Sequence, residues 1–268
     1  MLQHSGAVGA GPWSEPPKGI GAGTRPKHPG NTADRAAAVI SRTAAATRAR
    51  VWWDRHVQAV GVVLAAGAGT RMGAPKALLR TAEGTSWAAR TAQVLHAGGC
   101  AAVAVTVGAA AGEVRAGLPA HVDVLTVPDW RRGPGTGVLA ALRYARAAGA
   151  QALLLMLVDL PDVGADDVRA VLAVGAEEPS AALVRAGWQG RGGHPVLLGR
   201  RHWARAAEVA ASGAGLRELL LDPGCREVEV AGAVRDVDVP DALPPGTRPP
   251  QRGGVAGGGT DGGTGSGC

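Results

Sequence analysis

Four largely apolar runs, each followed by residues of another character, narrow the folds open to this chain more than any other feature. They lie at 57–64, 101–107, 122–127 and 152–158. A strand with one wet face alternates apolar and polar residues. A run that is apolar throughout is buried on both faces, as in a parallel sheet covered by helices. Segments 85–96, 137–147 and 166–174 carry helical spacing between or after these runs. The expected architecture is a three-layer α/β/α domain with a mostly parallel sheet. In such sheets ligands sit beyond the carboxyl ends of the strands.

Further along, 181–184 and 195–198 read as strands flanking a turn at 187–193. Segments 203–211 and 216–221 read as helices, and 228–230 as a short last strand. The chain is 46% hydrophobic but only 3% aromatic and has no Phe, so its core is built from Ala, Val and Leu. Residues 1–56 are rich in Gly, Pro, Ala and Arg without a sustained apolar period. They are expected to form a disordered N-terminal extension with at most a short helix around 33–50. The folded domain is expected at 57–243, and 244–268 reads as a disordered low-complexity tail.

The net charge of +6 comes almost wholly from Arg, since Lys occurs only at 18, 27 and 76. Basic charge suits an anionic ligand, although drift towards Arg, Ala and Gly produces the same balance. No RNA-binding aromatic motif, zinc finger or basic helix stands out, so no nucleic-acid partner is expected. Cys100, Cys225 and Cys268 are too few and too scattered for a disulfide framework or zinc site. Residues 1–14 lack an apolar signal core, and no apolar run reaches ~18 residues. A cytoplasmic protein without membrane attachment is the expectation.

Chemistry is concentrated after the first strand, in Gly61 to Leu79 (GVVLAAGAGTRMGAPKALL). Small residues at Ala65-Ala66-Gly67-Ala68-Gly69 let backbone N–H groups approach an anion. Arg71 offers a planar fork and Lys76 a compact point charge for phosphate. A Walker A loop needs Gly-Lys-Ser/Thr, but Lys76 stands between Pro75 and Ala77. A dinucleotide fingerprint needs G-x-G-x-x-G. Gly67, Gly69 and Gly73 are spaced one residue too far, and the following acid is missing. A plain glycine-rich turn is the remaining structural alternative.

The run L-A-A-G-x-G-x-R-M-G-x-x-K-x-L-L, Leu64 to Leu79, resembles the signature of the molybdopterin nucleotidyltransferases, cytidylyltransferase-like, within the NTP transferase superfamily. The resemblance covers roughly Ala59 to Leu243 and implies a Rossmann-like nucleotidyltransferase fold. It implies a magnesium-dependent enzyme that moves a nucleoside monophosphate from an NTP onto the molybdenum-pterin cofactor. By the same resemblance, Leu64, Ala65, Ala66, Gly67 and Gly69 wrap the nucleotide, and Arg71 and Lys76 hold the triphosphate.

Asp159 follows the fourth apolar run, in Val158-Asp159-Leu160-Pro161, where a carboxylate can hold a cation over the sheet or simply cap a turn. The family carries D-x-P here, and its Asp binds the catalytic Mg²⁺; Leu160 replaces a usual Met. The 127–137 stretch combines two family patterns: Trp130 matches the CTP users, whereas Asp129 and Gly133-Pro134 match the GTP users. Asp129 is thus a nucleotide contact or a solvated loop residue. Gly190–Pro195 resembles the cytidylyl-type G-R-R-G-H-P, with Gly192 in place of a basic residue. His194 there touches the acceptor or merely enters a strand. Asp236 to Leu243 resembles the terminal D-I-D-T-P-E-D-L, which puts Asp238 near the metal or in a structural turn.

Ala66 in L-A-A-G and the Gly-His-Pro element favour CTP over GTP. A molybdenum hydroxylase or its maturation chaperone is the implied recipient of the product. The rivals are a transferase of the same fold acting on a sugar phosphate, methylerythritol phosphate or phospholactate, a dinucleotide-binding oxidoreductase, and a non-catalytic NTP sensor.

Overall fold

The computed structural model describes residues 59–212 and 215–250. The expectations for 1–56 and for 251–268 lie outside the described residues. Seven strands form one sheet: β1 (Ala59–Leu64), β2 (Val103–Val107), β3 (Asp123–Thr126), β4 (Ala152–Leu157), β5 (Leu183–Trp188), β6 (Arg191–Gly199) and β7 (Arg226–Glu229), in the order β3-β2-β1-β4-β6-β5-β7. Strands β1 to β4 run parallel, β6 is antiparallel to both β4 and β5, and β7 is parallel to β5. The sheet is therefore mostly parallel, with one reversed strand, as the apolar runs imply.

Each central strand divides its side chains between two cores, because successive Cβ atoms point to opposite faces. From β1 and β4, Val63, Leu154 and Met156 enter one core. Val60, Val62, Leu153 and Leu155 enter the other. The first core is covered by α1 (Trp87–Ala97), the short α2 (Ala111–Ala116) and α4 (Ala165–Val174). The second is covered by α3 (Gly135–Ala147) and α5 (Trp203–Ala211). Ser86 caps α1, its side chain accepting from the Ala89 N–H at 3.2 Å, which accounts for one of the orphan donors at the helix start. Glycine allows the closest packing between helices: a Cβ on Gly135 would stand 1.9 Å from the carbonyl oxygen of Ala210 in α5.

Several boundaries differ from the sequence expectations. Strands β5 and β6 extend through most of the expected 187–193 turn. Gly187 pairs with Gly192 and Trp188 with Arg191, leaving Gln189-Gly190 as a two-residue turn with φ of 51° and 76°. Positive φ at both positions matches the right-handed strand twist. The helix expected at 216–221 is only a 3-10 turn at Leu219–Leu221, before an Asp222-Pro223 pair that cannot continue it. Helix α2 escaped the pattern because Val114 is its only buried residue.

The tail expectation is corrected at its start. Residues 244–250 stay on the domain, where the Arg248 N–H donates to the Arg80 carbonyl at 2.9 Å and the Arg80 N–H returns to the Arg248 carbonyl at 3.0 Å. Backbone pairing of this kind needs no apolar side chains, so composition alone does not reveal it. No helix among the described residues is long and apolar enough to cross a membrane.

Candidate active site

The pairing of β1 with β4 places Leu64 beside Leu157. Both strands therefore end together, and the glycine loop leaves the sheet next to Asp159. The loop turns sharply at Gly69, where φ is +62° and a Cβ would meet the Ala74 carbonyl oxygen at 1.9 Å. Only glycine fits there without strain and collision. Lys76 follows, opening a 3-10 turn at Lys76–Leu78. A cleft of about 520 Å³ opens over these ends. Its walls are the 64–71 loop, Lys76, Thr106, parts of the 130–137 turn, the 157–159 strand end and Asp238.

The Val237-Asp238 segment completes the cleft. The Val237 N–H donates to the Asp159 carbonyl at 3.0 Å, and this bond carries the next side chain over the strand end. The Lys76 ammonium stands 2.7 Å from Asp159 Oδ2 and 2.5 Å from Asp238 Oδ1, and Arg71 Nη2 stands 2.8 Å from Asp238 Oδ2. Lys76 and Asp159 are largely buried, whereas Arg71 is mostly exposed. Burial alone would lower the Lys76 pKa, but the hydrogen bonds and charges of Asp159 and Asp238 outweigh it and hold the ammonium above its ordinary value. The hydrogen bond from Lys76, followed by the charges of Lys76 and Arg71, holds the Asp238 carboxyl below the usual range.

Asp159 Oδ1 is buried without a hydrogen-bond partner. A buried acceptor with no donor is costly unless something else satisfies it. Two carboxylates already facing one ammonium, with a further free oxygen, suit a hard divalent cation completed by phosphate and water. Among the described residues no third His, Cys, Asp or Glu joins them as a metal cluster.

Of the sequence-predicted residues, Leu64, Ala65, Ala66, Gly67, Gly69, Arg71, Lys76, Asp159 and Asp238 converge on this cleft. Asp129 and His194 do not. Asp129 is exposed immediately before the 3-10 turn Trp130–Arg132 and is not among the residues lining the cleft. His194 is not among the residues lining the cleft; its ring Nδ1 is 3.3 Å from the Leu155 carbonyl oxygen, and burial holds its pKa below the ordinary value against the opposing charge of Asp159.

Sequence reasoning missed Thr106. Its fully buried hydroxyl accepts from the Ala65 N–H at 2.9 Å and donates to the Val63 carbonyl at 3.2 Å, pinning the loop where it leaves β1. A lone hydroxyl in the apolar VAVTV run was the available signal. Behind the loop, Gly108 lets Trp130 pack close, since a Cβ there would lie 2.7 Å from the indole. Arg131 stacks over the Trp130 ring at 4.4 Å.

A mostly parallel sheet in a three-layer arrangement, with a glycine loop, a clasped lysine and two acids beyond its carboxyl edge, defines a Rossmann-like α/β protein. The chain belongs to the family of the MobA-like NTP transferase domain, whose model matches residues 61–228. It is 32% identical over 125 residues to a probable molybdenum cofactor guanylyltransferase of Rhodopirellula baltica, a match covering 47% of this chain and 59% of that relative. It is 32% identical over 167 residues to the nicotine blue oxidoreductase of Paenarthrobacter nicotinovorans, covering 60% of this chain and 80% of that protein. Among solved structures, Rv0371c of Mycobacterium tuberculosis H37Rv superposes with a TM-score of 0.56 at 32% identity, covering 69% of this chain and 95% of that one. The same mycobacterial protein has been solved in complex with manganese.

Proposed function

We propose that this chain transfers a nucleoside monophosphate from an NTP to a molybdopterin-type phosphate, releasing pyrophosphate. The observation that carries this is the Lys76 ammonium clasped by Asp159 and Asp238 beside the glycine loop, with Asp159 Oδ1 buried and unpartnered. Asp159 and Asp238 would hold a divalent cation, taken as Mg²⁺, which when bound supplies charge neutralisation and Lewis acidity to phosphate oxygens. The manganese complex of the mycobacterial relative supports a divalent metal in this fold.

The acceptor is a phosphate monoester and already an anionic nucleophile, so no general base is required. Its oxygen attacks the α-phosphorus and the bond to pyrophosphate breaks. Lys76, Arg71 and the amides of the 65–69 loop neutralise charge that gathers on the leaving group. Ala66 and the Gly193-His194-Pro195 element support CTP as donor; the guanylyltransferase relative supports GTP. The product passes to a molybdenum hydroxylase or its chaperone.

The test is pyrophosphate release by the purified chain with Mg²⁺ and molybdenum-loaded molybdopterin, offered CTP and GTP separately. Release with one nucleotide establishes the reaction and the base; none with either discards this acceptor. The oxidoreductase relative motivates a second reading. It predicts consumption of a reduced nicotinamide dinucleotide that is indifferent to divalent cations and to Asp159→Asn. A cation-independent loss of absorbance at the nicotinamide band, without pyrophosphate, would select it.

A further inference from the structure

The same three side chains carry an inference about the order of binding, which rests on the metal site proposed above. The Lys76 ammonium lies between Asp159 Oδ2 and Asp238 Oδ1, at 2.7 and 2.5 Å, and so engages the two acids that would hold the cation. Arg71 holds the second oxygen of Asp238. The cluster is formally neutral, and of its four carboxylate oxygens only Asp159 Oδ1 has no partner. A divalent ion entering alone would meet Lys76 at the same two acids and leave the site with excess positive charge. It would also find no third acidic ligand among the described residues. A triphosphate changes this balance, because its oxygens can complete the metal's coordination and accept the displaced ammonium.

We propose that Lys76 is the resident counter-ion of Asp159 and Asp238, excluding free divalent cations until a nucleotide triphosphate draws the ammonium away. Cation and nucleotide therefore bind as a pair, and Lys76 passes from carboxylate to phosphate as they do. The glycine loop, joined to Lys76 through Arg71 to Pro75, responds to the same transfer.

Mn²⁺ binding to the full chain, followed by the resonance of the free ion, tests this without turnover. Nucleotide-free wild type binds Mn²⁺ weakly. Lys76→Met and Lys76→Gln bind it at least about tenfold more tightly, because a unit charge within ~4 Å of the ion has been removed and two carboxylates are left unpaired. Lys76→Arg retains the charge and stays weak. The Gln variant keeps a neutral donor should the Met variant lose its fold. Equal, weak Mn²⁺ affinity in wild type and both neutral variants overturns the proposal, as does tight binding to nucleotide-free wild type. The metal-site reading is tested separately with α,β-methylene CTP or GTP present. Asp159→Asn should lose protein-bound Mn²⁺, and retention there overturns the site itself rather than the ordering alone.

Discussion

At the scale of single residues, Lys76 and Asp159 are placed by chain regions 83 residues apart yet meet at 2.7 Å in the cleft. If they neutralise developing charge as proposed, Lys76→Ala and Asp159→Ala each lower turnover by ~10²–10³. Steady-state pyrophosphate release alongside a melting curve separates this from unfolding; near-normal turnover in either variant removes its assigned role. Thr106 acts differently, by satisfying the buried Ala65 N–H. Thr106→Val keeps the shape but removes the acceptor, and should cost about 1–3 kcal/mol in urea unfolding. Thr106→Ser, which restores the hydroxyl, should recover most of that loss. If Val were as stable as wild type, the hydroxyl would not be what pins the loop.

At the scale of elements, the helices reach the sheet closely because they are built from small residues. Helix α3 touches α5 where Gly135 faces the Ala210 carbonyl, and no Cβ fits in that space. Gly135→Ala therefore forces the two helices apart and should cost about 1–3 kcal/mol by overpacking, even though Ala is the better helix former. Chemical denaturation of the variant measures this, and a gain in stability would mean the helix interface yields freely. Helix α1 depends on its cap instead. Ser86→Ala removes the acceptor for Ala89 and should cost about 1 kcal/mol, detectable as a small downward shift in the same unfolding midpoint.

Across the whole molecule, Asp238 ties the end of the domain to its beginning, since it and Lys76 are 162 residues apart in sequence. Its carboxyl is held below the ordinary value of 3.8, chiefly by the Lys76 hydrogen bond. A depressed acid stabilises the fold above the unfolded value and loses that contribution as pH falls through the folded one. The stability difference between wild type and Asp238→Asn should thus be present at neutral pH and shrink as pH drops below 3.8. Denaturation midpoints measured from neutral to acid pH give the comparison; a difference that stays constant would show that the carboxylate charge is not what joins the two ends.

The layer order and most of the site were legible along the chain because they follow from local rules. A short continuous apolar run such as 152–158, bounded by turn residues and too brief for a core helix, reads as a doubly buried strand, and a glycine loop carrying Arg71 and Lys76 is suited to phosphate. Asp159 was legible for the same reason: it ends such a run. The reversal of β6, the displacement of Asp129 and His194 from the cleft, and the continuation of the domain to residue 250 were not legible. Each depends on which backbone groups pair at long range, and such pairing leaves little trace in residue type. The clasp of Lys76 by Asp159 and Asp238 also belongs to the tertiary structure. The sequence by itself determined the charges and the strand end that receives them; only folding brought one ammonium between two carboxylates, because the hydrogen bond from Val237 to Asp159 sets Asp238 above it.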